Sequence, residues 1–212
     1  MNTLKHKQGE VRQSAMTADL QRIAEARHHD PHSVLGRHVH GGDAVVRVFL
    51  PHTDSVAILE TTEPLQRIDD TDIFEWRGKA DSLPDHYTLE STDSHGRKVA
   101  YADPYNFAPL ISDFDLHLFG EGRHLHVYNI LGAHPVTIDG IDGVQFATWA
   151  PNAERVSVIA DFNQWDGRIH AMRSRGQSGI WEIFIPEATV DKLYKFEIRH
   201  RDSGSIQQKF DP

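Results

Sequence analysis

The sequence has no cysteine. That excludes disulfides and thiolate metal ligands, and it suits a reducing compartment. Long apolar runs are missing as well: the 44–50 stretch is broken by Arg47, and nothing approaches the ~20 residues of a membrane-spanning helix. The first 16 residues lack the apolar segment of a secretory signal. A basic surplus is also absent, since 22 Lys and Arg face 31 Asp and Glu for a formal net charge of −9. Proteins that grip phosphate backbones need a basic face, and here the cations are scattered singly among acids. The expectation is a cytoplasmic, soluble chain with neither nucleic acid nor membrane as partner.

Signatures of catalysis are missing too. There is no GxSxG, no phosphate-binding P-loop, no HExxH and no GxGxxG ahead of a helix. Asp103, Asp113, Asp115, Asp161 and Asp166 supply carboxylates. Nothing in their spacing sets two of them across one glycosidic bond, as that chemistry requires. A (β/α)8 barrel takes about 250 residues and repeated helices, for which 212 residues leave no room. The 15 histidines are densest at His28-His29-Asp30-Pro31-His32, with His124 and His126 further on. Neighbouring imidazoles alone do not make a zinc site. No catalytic residue, metal or cofactor is expected, and the histidines read as local hydrogen-bonding groups.

The positive signal is periodicity. Residues 17–26 place Leu20, Ile23 and Ala24 at helical spacing behind Thr17 as N-cap. The helix must stop before His29-Asp30-Pro31, because the residue preceding proline disfavours the α region. From there the pattern has period two. Segments 44–50, 55–60, 73–77 and 87–91, and later 144–149, 156–161, 181–185 and 194–200, are β-branched or aromatic runs between turn residues. Phe49-Leu50-Pro51 through Val56 aligns with Trp149-Ala150-Pro151 through Val156 at an offset of 100. Tyr87-Thr88-Leu89-Glu90 aligns with Tyr194-Lys195-Phe196-Glu197 at 107, and Asp103-Pro104 with Asp211-Pro212 at 108. A period of about 100 residues is the size of one immunoglobulin-like sandwich. The reading is all-β: two tandem immunoglobulin-like β-sandwiches with a short N-terminal helix. Residues 1–16 read as a flexible arm, 17–110 as the first sandwich, 111–135 as an ordered connector and 136–212 as the second. The second Asp-Pro closes the sequence where the first leads onward, so further chain is expected beyond it.

One turn suggests a ligand site. Asp161-Phe162-Asn163-Gln164-Trp165-Asp166-Gly167 follows a strand with turn-forming polar residues and a single indole. An exposed indole can stack on the C–H face of a sugar while Asn163 or Lys195 hydrogen-bonds its hydroxyls. The competing reading folds Trp165 back to plug the end of the sandwich. Trp76, Trp149 and Trp181 lie in alternating strands and read as core or half-core.

Asp161-Phe162-Asn163-Gln164-Trp165, Gly179-Ile180-Trp181-Glu182, Tyr194-Lys195-Phe196 and Asp211-Pro212 resemble the family-48 carbohydrate-binding modules. His28-His29-Asp30-Pro31-His32-Ser33-Val34-Leu35-Gly36 resembles the start of the extra N-terminal domain of bacterial glycogen branching enzymes. Asp113-Phe114-Asp115-Leu116-His117-Leu118-Phe119-Gly120-Glu121-Gly122 and Leu131-Gly132-Ala133-His134-Pro135 resemble the joint between their two N-terminal domains. The resemblance implies the non-catalytic N-terminal part of a 1,4-α-glucan branching enzyme, a cytoplasmic transglycosylase. Its partners would be α-1,4-glucan and a catalytic barrel that forms α-1,6 branches. The module's stacking indole would be Trp165 and its sugar-contacting lysine Lys195. Ile206 stands where some modules of the family carry a second stacking tryptophan, which lowers the implied affinity. The first copy has Glu60-Thr61-Thr62-Glu63-Pro64 in place of the tryptophan turn. The alternative is a docking scaffold that sets transferred chain length without binding glucan. Isoamylase-type debranching enzymes also carry the module, but the double N-terminal arrangement argues against them.

Overall fold

The computed structural model describes residues 15–61, 63–189 and 191–211; the arm expected over 1–16 lies almost wholly outside them. Helix α1 (Ala18–Ala24) opens with the Thr17 side chain accepting from the Leu20 amide, the expected N-cap. Seven strands follow: β1 (Gly36–His40), β2 (Asp43–Phe49), β3 (Thr53–Ile58), β4 (Gln66–Arg67), β5 (Ile73–Lys79), β6 (Thr88–Asp93) and β7 (Lys98–Ala102). Helix α2 (Asp113–Gly120) then precedes β8 (Gly132–Ile138), β9 (Ile141–Trp149), β10 (Ala153–Ala160), β11 (Arg173–Ser174), β12 (Ile180–Pro186), β13 (Tyr194–His200) and β14 (Ile206–Lys209). Every pairing is antiparallel. Sheets β1-β2-β5-β4 and β3-β6-β7 make the first half, and β8-β9-β12-β11 and β10-β13-β14 repeat the same order in the second.

Alternation fills both sandwiches. Ala44, Val46 and Val48 of β2 and Phe74 and Trp76 of β5 meet Val56, Ile58, Tyr87 and Leu89. In the second half, Val144, Phe146, Trp181, Ile183 and Ile185 meet Val156, Val158 and Phe196. Each large apolar side chain so buried contributes roughly 1.5–3 kcal/mol. Trp76 and Trp181 are core, as the alternation predicts. Trp149 is not: it points away from Phe146 on the outer face of β9, 56% exposed, with Phe119 at its edge. The misreading arises because both faces of this strand are apolar. Phe146 faces in, while Ala147 faces out beneath α2.

The repeat runs deeper than the strands. Residues 17–38 align with 113–134 at a constant offset of 96, identical at eight of the 22 positions. Their geometry repeats with them. His28 Nε2 lies 3.5 Å from an Asp19 oxygen and His124 Nε2 lies 3.0 Å from one of Asp115. Ala26 and Gly122 both adopt a left-handed φ. His38 and His134 each hydrogen-bond, at 3.0 and 2.9 Å, the carbonyl of the leucine three residues earlier. The segment expected as a connector therefore holds a second helix, α2, the counterpart of α1. The helix escapes a periodicity reading because His117, Gly120 and Gly122 dilute its apolar spacing. At the far end, Tyr87 donates to Asp103 at 2.5 Å and Tyr194 donates to Asp211, the same bond in each copy.

The two halves meet through buried polar groups. Asp103 accepts from the Tyr105 amide, and the Tyr105 hydroxyl donates to the Ile169 carbonyl at 2.8 Å while accepting from the Ala171 amide. The buried Glu182 carboxylate accepts from the amides of Leu110 and Ile111 and pairs with Arg175. Arg27 reaches across to Glu154 at 2.9 Å. Phe49, Leu20 and Ile23 are continuous with the core of the second half.

Burial sets how this assembly responds to pH. It holds His32 well below the ordinary histidine value, and it takes His170 down to about 4. Burial also lifts Asp103 to about 6. The two histidines are neutral in the fold and protonate first in the unfolded chain. Their contribution is complete above about pH 6.5 and is lost as pH falls towards 4. Asp103 has the opposite sign: its contribution is complete below about pH 4 and is lost as pH rises through 6. Denaturant titrations between pH 7 and 4 should show stability falling with acidification. The fall should be shallower in His170→Asn and steeper in Asp103→Asn.

Candidate functional site

At Ala160, β10 gives way to a single 3-10 turn, Asp161–Asn163, and then to two successive left-handed residues, Gln164 (φ 57°) and Trp165 (φ 59°). Each such residue costs of order 1–3 kcal/mol unless its surroundings impose it. Here they do. The Asn163 carboxamide accepts from the Ala160 amide at 2.8 Å and donates to the Val158 carbonyl at 2.8 Å and to His170 Nδ1 at 2.9 Å. The Trp165 amide returns to the Ala160 carbonyl at 2.9 Å. Its indole N–H donates to Asp161 at 2.8 Å, which fixes the ring plane.

Asn163 is thus corrected from a ligand contact to a brace of the turn. It is 2% exposed, and its polar atoms are all engaged inside the protein. Residue type alone could not reveal this, since an asparagine suits a surface turn and a buried one equally. Trp165 does not plug the sandwich. It stays about one-third exposed, over the outward residue Lys195, whose ammonium lies 5.8 Å from the ring centre. The same ammonium lies 4.8 Å from the centre of Phe210, an exposed ring absent from the sequence reading. The signal for Phe210 was faint: a lone aromatic between Lys209 and Asp211. Ile206, by contrast, is half-exposed on β14 opposite Arg199 and supplies no ring. Trp165, Lys195 and Phe210 therefore make a platform of two rings bridged by a cation with spare N–H donors, an arrangement suited to sugar faces and hydroxyls.

Beneath the platform lies Arg155, fully buried. It donates to Ser157 at 2.7 Å, to Glu197 at 2.6 Å and to the Gly167 carbonyl. Gly167 packs so closely that a β-carbon there would sit 2.0 Å from a Glu197 oxygen. The other acids have partners of their own. Asp161 holds the indole, Asp166 pairs with Arg168, Asp113 with Arg175 and Asp115 with His124. Asp103 lies under Tyr87. Among the described residues no three His, Asp or Glu side chains gather as metal ligands, and no helix is long and apolar enough to cross a membrane.

Comparison with known proteins gives two adjacent family matches. Residues 16–105 match the N-terminal domain of the α-1,4-glucan branching enzyme GlgB, and residues 130–212 match carbohydrate-binding module 48, the isoamylase N-terminal domain. The 1,4-α-glucan branching enzyme GlgB of Methylococcus capsulatus is 54% identical over 93% of this chain and 27% of its own length. That of Cellvibrio japonicus is 50% identical over 93% and 28%. The chain belongs to the glycogen branching enzyme family, as its N-terminal region. It spans about a quarter of the length of these branching enzymes. A pullulanase structure from Anoxybacillus sp. LM18-11 overlaps at a TM-score of 0.31 with 15% identity, over 84% of this chain and 25% of that one, too remote to bear on the site.

Because Gly167 packs directly on Glu197 in this branching-enzyme module, Gly167→Ala should cost about 1–3 kcal/mol, the usual range for overpacking. Glu197 can yield to the new methyl only by breaking with Arg155. Urea unfolding of wild type, Gly167→Ala, Glu197→Ala and the double variant checks this: Gly167→Ala should cost less in the Glu197→Ala background, where the opposing carboxylate is gone.

Proposed function

We propose that this region binds α-1,4-glucan chains, such as glycogen or malto-oligosaccharides, on the Trp165–Lys195–Phe210 platform and holds them for a catalytic barrel elsewhere in the polypeptide. The observation that carries the reading is the immobilised, half-open indole: Asp161 fixes its edge, and Lys195 lies between it and the exposed Phe210. Preorganising an aromatic surface reduces what binding must spend on ordering side chains. Asn163 acts at one remove, by holding the left-handed turn. No atom of this region is assigned to bond cleavage or transfer. The α-1,6 branching step would belong to the barrel, and a cytoplasmic setting agrees with the absence of cysteine.

We also propose that the division between modules falls near residue 110. On that reading 111–135 is part of the second module, as 17–38 is part of the first.

A purely structural role has one observation in its favour, the exposed aromatic surface around Trp149, on the sheet opposite the one that carries Lys195. Titration calorimetry with maltoheptaose separates the two. Binding by wild type that falls at least tenfold in Trp165→Ala, about 1.4 kcal/mol, supports the glucan reading. Phe210→Ala should show a smaller loss in the same direction. Folded wild type that releases no binding heat, by calorimetry at several temperatures, would leave the scaffold reading in its place.

A further inference from the structure

The internal repeat makes the first copy a template for the second. In the first copy the apolar side of α1, the Pro31 turn and the end of β2 are covered, with Leu20, Ile23, Pro31 and Phe49 all buried. Phe49, at the end of β2, is 5% exposed and shares a tight junction with Ile23, Ala26, Pro31 and Leu35 of its own copy and with Arg155, Arg168 and Ala171 of the second. Arg27, just past α1, reaches Glu154 of the second copy, and the Ser174 amide donates to the His29 carbonyl. The second sandwich is docked on this face.

The counterparts in the second copy are bare. Trp149 replaces Phe49 and is 56% exposed, Tyr128 replaces the half-buried His32 and is 64% exposed, and Phe119 and Val127 replace the buried Ile23 and Pro31 and are only half-buried. Phe114 and Leu125 put large apolar side chains where the first copy has Ala18 and His29, which are exposed there too. Arg123 replaces Arg27 and, among the described residues, pairs with Glu121, the same local pair that Arg27 makes with Glu25. Thus the uncovered copy of the face is larger and more apolar than the covered one, and it keeps the cation that bridges to the docked body. An apolar surface of this kind on an otherwise acidic chain marks an interface.

We propose that the face of α2, residues 123–128 and Trp149 is a docking surface for a further domain of the same polypeptide, seated as the second sandwich is seated on the first. The occupant would present an apolar patch to Trp149 and Tyr128 and a carboxylate to Arg123, in the place Glu154 takes before Arg27. The length of the relatives supports this choice, since some three quarters of it lies outside the matched region. The proposal rests on the repeat and does not require Trp165 to bind glucan.

Hydroxyl-radical footprinting, read by mass spectrometry, compares this chain with the polypeptide carried to the relatives' full length. Labelling at Trp149 should fall about tenfold in the longer polypeptide, the ratio of the Trp149 and Phe49 exposures. Tyr128 should be protected with it, while Trp165 stays reactive; added maltoheptaose should protect Trp165 and Phe210 but not Trp149. In the longer polypeptide, Arg123→Glu should restore part of the Trp149 labelling. Equal labelling of Trp149 in both polypeptides overturns the proposal. So does sedimentation showing that this chain dimerises and that Trp149→Lys makes it monomeric, because the occupant is then a second copy. If maltoheptaose protects Trp149, the face is a sugar site and the proposal fails on that ground.

Discussion

The Tyr105 hydroxyl sets where the loop that carries Trp165 stands. It lies in the segment that leaves the first sandwich, yet both of its hydrogen bonds are made to the 161–172 loop of the second, to the Ile169 carbonyl and the Ala171 amide. Asp103 holds Tyr105 in place by accepting from its amide at 2.9 Å, and Tyr87 holds Asp103 from the core. A chain of buried hydrogen bonds thus runs from the centre of one sandwich to the loop that displays Trp165 on the other. Such bonds are worth about 1 kcal/mol each in net terms, but leaving a buried partner unsatisfied costs more. Their main effect is to fix one relative placement of the two halves.

The loop's second anchor is Arg155, which draws the Gly167 carbonyl down while pairing with Glu197. A buried ion pair is weak evidence for net stability, because desolvation offsets the attraction. Its value here is geometric. With Tyr105 on one side and Arg155 below, the loop cannot relax, and the left-handed conformations at Gln164 and Trp165 are imposed on it. Asn163 completes the constraint from inside the turn. Tyr105, Arg155, Glu197, Asn163 and Asp161, all of ordinary type, convert a polar turn into a rigid mount for one indole.

Much of this was legible in the sequence. The strands alternate cleanly enough to place both sandwiches, and Phe49-Leu50-Pro51 against Trp149-Ala150-Pro151 exposed the duplication. Trp165 and Lys195 stand together as their turn and strand phase suggested. What failed did so for physical reasons. Trp149 sits on a strand with apolar residues on both faces, so periodicity could not orient it. Asn163 was misplaced because burial depends on what packs over the turn. Phe210 joins the platform only because β13 and β14 pair in the register that sets Phe196 opposite Lys209. The second leader helix was missed although its residues were in view: Leu116 and Phe119 keep the spacing of Leu20 and Ile23, but Gly120 and Gly122 stand where the first copy has Ala24 and Ala26 and break the helical pattern.

The central claim is that one indole, held open by this framework, receives the glucan. The most direct measurement is an ¹⁵N-correlated NMR titration with maltoheptaose, following the indole N–H signals of the four tryptophans, each assigned by single substitution. The account predicts a saturable shift of the Trp165 signal, with those of Trp76, Trp149 and Trp181 unmoved. A shift confined to Trp149, or four unmoved signals at saturating sugar, would contradict it.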